Sequence, residues 1–378
     1  MAEGVSAATE AQIGAELAAL LGESPAAWSA ELLTHNLQNA VTVGIWRVRA
    51  GERSFILKVV SPGRGGAATG WAASDEPTHW NYWAREALAY RHGVTTSYAA
   101  AGIAGPTLLA RYARPDGAIA LWLADALAEG ALPGPRWSLA EYARFAQRLG
   151  MAQGRIASDA APAYPWLSRQ FLRRYSLSKA YDPALLDDDR AWAQPLVREH
   201  FPAALRPALV RFHHERERFF AILERLPRTL CHLDVWPNNL FARADGRFVL
   251  VDWAFVGDGA LGEDAGNLVP DAVFDLFVPA HDLPELDRVV FAGYLAGLRE
   301  AGWDGDERLV RLGMCASAIK YVWLPPLMLA RAGDATQLDY GGKAAVNAAR
   351  RYSERGCVFT FLMGWAEEAR ELAAAPGY

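Results

Sequence analysis

The chain is poor in cysteine. Cys231, Cys315 and Cys357 are odd in number and far apart. They supply neither a disulfide framework nor a zinc-ligand pattern, and they fit a reducing compartment. An excess of positive charge is also missing. Lys and Arg number 38 against 43 Asp and Glu, for a net charge of −5 and a pI of about 5.9. That balance gives a nucleic-acid partner no electrostatic support. Long apolar runs are lacking as well. The most apolar C-terminal stretch, Tyr321 to Ala330, is short and broken by Pro325-Pro326, so no membrane span is expected. Met1-Ala2-Glu3-Gly4-Val5 has neither the basic start nor the apolar core of a signal peptide. No Gly-Lys-Ser/Thr follows the glycines of Pro62-Gly63-Arg64-Gly65-Gly66, which excludes a Walker phosphate loop. His213-His214-Glu215 lacks the i, i+4 histidines of a zinc protease. The expectation is a cytoplasmic globular protein. Its 378 residues, 52% hydrophobic and 21% charged, are enough for two substantial cores.

What the sequence does carry is concentrated between Cys231 and Asp252. Asp245-Gly246 separates two runs of strand-forming residues, a strong hairpin signal. A two-residue loop makes Ala244 face Arg247, Phe241 face Leu250, and Asn239 face Asp252. Directly opposed residues hold their Cβ atoms about 4.5–5.5 Å apart. The expected hairpin thus sets an amide oxygen beside a carboxylate, an oxygen-only site suited to Mg²⁺ that keeps water and phosphate as further ligands. Asp234, on the loop before the first strand, is placed to meet whatever that metal holds. An Asn and an Asp at strand ends more often cap turns. Here they follow the spacing His-x-Asp-x-x-x-x-Asn, in which the Asp accepts a substrate proton and the Asn holds metal.

Upstream, residues to about Leu33 read as helical, with Ile13, Leu17, Leu20 and Leu21 at helical spacing and Gly22 as a stop. Val41, Val43, Ile45 and Val48 then alternate, and Phe55 to Val60 forms the next strand after a turn at Gly51-Glu52. Lys58 is a cation among apolar neighbours on that strand. Edge-strand lysines are common, but the catalytic spacing downstream favours a phosphate-gripping lysine. Ser61 to His79 reads as a mobile loop. A helix is expected from near Thr78, with Glu86 bordering its apolar face as the partner of Lys58. Ala104–Leu109 and Ala118–Leu123 read as strands. From Leu139 the chain is mostly helical, including one helix over Pro207–Leu226.

His232-Leu233-Asp234…Asn239 followed by Val251-Asp252-Trp253 resembles the signature of the aminoglycoside phosphotransferase family. The resemblance implies an α+β, protein-kinase-like, two-lobed fold. A small N-terminal lobe (1–123) would carry an antiparallel sheet and one key helix. A linker (124–130) would lead to a larger, mainly helical C-terminal lobe (131–378). It implies ATP or GTP as co-substrate, Mg²⁺, and a small-molecule hydroxyl as acceptor. Asp234 would be catalytic, Lys58 and Glu86 would serve the nucleotide, and Asn239 and Asp252 the metal. Asp264 would brace the loop backbone, and His35 to Ala40 would cover the nucleotide. Asp271, Asp275 and Asp339 are candidates for a cationic acceptor. Trp236 stands where protein kinases carry Lys, Trp253-Ala254 replaces their Phe-Gly, and no Ala-Pro-Glu follows. The competing reading is a non-catalytic nucleotide-binding scaffold on a kinase fold. Nucleic-acid and membrane partners are not expected.

Overall fold

The computed structural model describes residues 7–63, 71–158, 163–334 and 347–375. Its strands are β1 Ser29–Leu32, β2 Thr42–Ala50, β3 Arg53–Val60, β4 Ile103–Ala104, β5 Leu108–Ala113, β6 Ile119–Ala124, β7 Leu132–Pro133, β8 Arg228–Cys231, β9 Leu240–Ala242, β10 Phe248–Leu250 and β11 Gly257–Ala260. Its helices are α1 Ala7–Leu21, α2 Arg85–Arg91, α3 Leu139–Ser158, α4 Phe171–Leu177, α5 Asp189–Trp192, α6 Pro195–His200, α7 Leu205–His214, α8 Arg216–Arg225, α9 Glu263–Phe274, α10 Leu283–Glu300, α11 Glu307–Ala316, α12 Leu324–Arg331 and α13 Ala348–Ala374. The architecture is the expected α+β, protein-kinase-like one. An antiparallel sheet of order β1-β2-β3-β6-β5 forms the N-terminal part, and helices dominate the rest.

The alternation of β3 explains how the N-terminal sheet packs. Phe55, Leu57 and Val59 point to one face, where Ile13 and Leu17 of α1 cover them. Val60 faces the other way with Leu121 and Leu123 and meets Ala87 and Tyr90 of α2. Lys58 shares this second face, so its ammonium is aimed toward α2.

Four expectations about elements need correction. The N-terminal helix ends at Leu21 and Gly22 takes φ +79°, as expected of a stop, but Ser29–Leu32 is a strand paired antiparallel to β2. Pairing decides there, not local composition. The helix expected from Thr78 starts at Arg85. Asn81 donates Nδ2 to the carbonyls of Trp71 (3.1 Å) and Ala72 (2.9 Å) and to Asn39 Oδ1 (3.1 Å). Such side-chain bonds to the backbone compete with a helix. Residues 64–70 of the loop expected to be mobile lie outside the described residues. The Pro207–Leu226 helix is two helices, α7 and α8, broken at Glu215, whose carboxylate accepts from Arg370 at 2.6 Å.

The fourth correction concerns the hairpin. Phe248 pairs with Ala242, Val249 with Phe241, and Leu250 with Leu240. Arg243 N–H donates to Arg247 O at 2.8 Å. The loop therefore holds three residues, Ala244-Asp245-Gly246, with Gly246 at φ +81°. That is the second common hairpin geometry, a turn closed by a left-handed glycine. Asn239 consequently faces Val251, whose N–H donates to Asn239 O at 2.9 Å. It does not face Asp252.

Behind this hairpin, α3 and α10 pack backbone to backbone. A Cβ on Gly150 would sit 2.0 Å from Tyr294 O, and one on Gly297 would sit 1.9 Å from Gln147 O. Only glycine permits that approach. The stretch Glu307–Arg331 is long and apolar enough to pass for a membrane span. Its apolar window is 94% buried inside the fold.

Candidate active site

β8 delivers the loop His232–Asn239. Leu233 adopts φ +67°, a costly conformation for a branched residue. Asp264 on α9 offsets that cost. Its carboxylate accepts from the N–H of His232 and of Leu233, each at 2.8 Å, which is the bracing role the sequence suggests. Gln153 of α3 donates to Asp264 at 2.7 Å, and Tyr294 of α10 donates to Gln153 at 2.5 Å. The close α3–α10 packing thus reaches the loop through a three-residue chain. His232 is fully buried, packs edge-on to Trp253, and accepts from Asp234 N–H on Nδ1 at 3.3 Å. Burial pushes its imidazole down to about 4, so it is neutral and structural.

Asn239 donates Nδ2 to Asp234 twice, to the carbonyl at 3.0 Å and to Oδ2 at 2.9 Å. Asp252 sits at the end of β10 in a left-handed conformation, φ +61°. That turn swings its carboxylate to Lys58, whose Nζ lies 2.7 Å from Asp252 Oδ1 and 2.6 Å from Glu86 Oε2. The expected Lys58–Glu86 pairing is present, and Asp252 is brought to the same ammonium by backbone conformation, not by the strand register.

Burial opposes the charge on Lys58, yet Asp252 and Glu86 outweigh it and hold the ammonium above its ordinary value. Burial pushes Glu86 up, to about 7, against the pull of Lys58. Burial also opposes ionisation of Asp252, but Lys58 prevails and its carboxyl is held below the usual range. Burial raises Asp234 to about 7; Lys320 opposes this, and Asp252 and Asp271 add to it.

The donor set fits a hard cation. Asn239 spends Nδ2 on Asp234, which leaves Oδ1 as the open end of the amide. Asp252 is one-third exposed and anionic. Two hard oxygens suit Mg²⁺, which retains water and phosphate ligands. Among the described residues no group of three or more His, Cys, Asp or Glu could hold a metal by itself. Any metal here therefore takes its remaining ligands from a bound phosphate and water.

The other candidates fare differently. Asp271 is paired with Lys320 at 2.8 Å. Asp275 is half-buried near Arg355 and Arg351 and is held up, to about 6, by desolvation. Asp339 lies outside the described residues. Trp236, at the protein-kinase lysine position, packs against Phe277. Sequence reading missed Arg85, which is fully buried beside Glu86. It donates to the carbonyls of Pro77 (2.8 Å), His79 (2.5 Å), Trp80 (2.9 Å), Trp166 (2.9 Å) and Ala254 (3.1 Å). It also missed Gln153, Lys179 and Lys320. The G-x-x-x-G spacings at Gly150–Gly154 and Gly293–Gly297 were the available signal for the helix pair that carries Gln153.

A family model described as "Phosphotransferase enzyme family" matches residues 44–306. No curated protein matches the chain. Among solved structures the chain is similar to a choline/ethanolamine kinase family protein from Mesorhizobium loti, at 19% identity over 97% of this chain and 98% of that one, TM-score 0.50. It is also similar to an amicoumacin kinase in complex with AMP-PNP, Ca²⁺ and its antibiotic, at 13% identity over 91% and 87%, TM-score 0.48. A third similar structure is an aminoglycoside phosphotransferase from Streptomyces rimosus, at 16% identity over 83% and 98%, TM-score 0.43. The family model spans well over half of the chain, and the chain therefore belongs to the phosphotransferase enzyme family, as a kinase that phosphorylates a hydroxyl group of a small molecule.

Proposed function

We propose that the chain moves the γ-phosphoryl group of ATP, or of GTP, to a hydroxyl of an aminoglycoside-like antibiotic, sugar, amino alcohol or related metabolite in the cytoplasm. The observation that carries the reading is the double contact of Lys58, 2.6 Å from Glu86 and 2.7 Å from Asp252, with Asp234 held by Asn239 at 2.9 Å. All five residue types that a phosphoryl transferase of this type needs are present, in two contact groups, Lys58–Glu86–Asp252 and Asp234–Asn239.

Asp234 orients the acceptor hydroxyl and takes its proton as the new O–P bond forms. The bond from the γ-phosphorus to its bridging oxygen breaks, and ADP (or GDP) leaves with that electron pair. Asn239 fixes which Asp234 oxygen faces the acceptor. Lys58 exchanges Asp252 for the α- and β-phosphates and keeps Glu86 as its anchor. Mg²⁺ held by Asn239 and Asp252 would neutralise phosphate charge during transfer. The transition state is loose, so most of the rate gain comes from positioning and electrostatics. In this reading residues 124–130 link a nucleotide lobe (1–123) to an acceptor lobe (131–378).

The test is release of ADP from Mg-ATP across aminoglycosides, sugars, amino alcohols and hydroxy acids, with Asp234→Ala as the blank. Turnover with one class, absent in the variant, supports the reading. Turnover that survives in Asp234→Ala defeats it.

A further inference from the structure

Of the 38 Lys and Arg residues only four are lysine: Lys58, Lys179, Lys320 and Lys343. Lys343 lies outside the described residues. The other three are all buried. Lys58 meets Asp252. Lys320 pairs with Asp271 and is the main cation acting on Asp234. Lys179, just after α4, is only 7% exposed, and its amino group has no hydrogen-bond partner among the described residues.

Lys179 Nζ sits in a box of rings. It is 3.0 Å from the centre of Trp71, 3.7 Å from Tyr175, 4.5 Å from Trp80 and 5.8 Å from Trp323. The rings favour the cation. Burial pushes the other way, toward about 5, and Lys320 adds to that, while Asp234 pulls the value up. The box therefore lies within electrostatic reach of Asp234. Two more donors of the box residues are orphaned: among the described residues the indole N–H groups of Trp80 and Trp323 are buried without an acceptor. A buried donor left unpaired costs about 1–3 kcal/mol. Three in one box, with no acceptor among them, point to an oxygen ligand from outside the chain.

The carboxylates nearby do not suit a polycation. Lys320 claims Asp271, and Asp275 has Arg355 and Arg351 beside it. A polyamine entering here would face the buried ammonium of Lys320 and the amino group of Lys179. The residue type fits as well. The remaining 34 of the 38 cations are Arg, whose guanidinium is a planar fork where lysine presents a compact point charge.

We propose that this box is the anchoring subsite for the acceptor, and that the acceptor is an alcohol bearing an anionic oxygen group. That group takes the donors of Lys179, Trp80 and Trp323, and the apolar part of the acceptor lies on the rings. The inference rests on the kinase reading, in which the acceptor binds beside Asp234.

The test is the thermal midpoint of the Mg-ADP-loaded protein titrated with glycerate, 3-phenyllactate, glycerol 3-phosphate, choline and neamine. Saturable stabilisation by an anion is expected, at least tenfold weaker in Lys179→Met. The carboxylates against the phosphate ester identify the oxyanion. Trp323→Phe keeps one aromatic ring and removes the N–H together with the second ring; it should weaken the same anion severalfold, and it stands in if Lys179→Met does not fold. No saturable effect from any anion, or choline or neamine binding equally well to Lys179→Met, overturns the proposal. If Mg-ADP itself fails to stabilise the wild type, the kinase reading fails. The anion titration without nucleotide then decides the box separately.

Discussion

Asn239 donates its side-chain amide to the Asp234 carboxylate at 2.9 Å and to the Asp234 carbonyl at 3.0 Å. One amide thus fixes both the backbone and the side chain of the residue that meets the acceptor. With Nδ2 spent on Asp234, Oδ1 is the part of the amide left for a metal.

Asn239→Ala should therefore injure two functions at once. Loss of positioning is expected to lower kcat by about 100-fold. Loss of the oxygen should raise the Mg²⁺ concentration for half-maximal rate. Steady-state kinetics with a metal titration checks both. A kcat within twofold of wild type would sink the assignment.

Lys58→Met should destabilise the fold as well as abolish turnover. It leaves Glu86, 1% exposed, without its cation. Breaking one side of a buried pair costs about 3–5 kcal/mol. Glu86→Gln in the same background should recover part of that loss. Urea unfolding of the two single variants and the double variant gives the coupling; strict additivity would show that the pair is not energetically coupled.

Much of this was legible in the chain. The alternation through Phe55 to Val60 placed Lys58, and the loop spacing placed Asp234 and Asn239. The register did not follow, because Asp-Gly serves both two- and three-residue loops with its glycine left-handed in each, and the φ of the aspartate is what distinguishes them. Asp252 reaches Lys58 through a left-handed turn that no residue type announces. Arg85 was invisible for a different reason. Its partners are carbonyl oxygens, which every residue possesses.

Glu263 predicts an unusual pH response. Its carboxylate accepts from Ala260 N–H at 2.9 Å, and burial holds it up, to about 7 against 4.5 for the free group. The unfolded chain gives up that proton near 4.5 and the native state near 7, so between them the native state binds more protons. Stability falls as pH rises through this window, by about 3 kcal/mol in all. Asp264, held up to about 6 by burial, adds with the same sign. Glu263→Gln should flatten the change. Urea midpoints at pH 5 and pH 8 for both proteins check it, and equal slopes would refute it.

Arg85→Lys should lose about 3 kcal/mol despite keeping the charge. A lysine has three donors on a point charge and cannot reach five carbonyls on three separate segments. Thermal unfolding measures the loss, and a change below about 0.5 kcal/mol would mean that the carbonyl contacts are incidental.

Kinases that are switched often work by swinging the helix that bears the glutamate away from its lysine. Here Glu86 cannot leave without Arg85, and Arg85 is moored both to its own loop at Pro77, His79 and Trp80 and to Trp166 and Ala254 across the cleft. The lever that turns other kinases off is bolted down. Swinging that helix out would first have to break five hydrogen bonds that tie it to three separate segments.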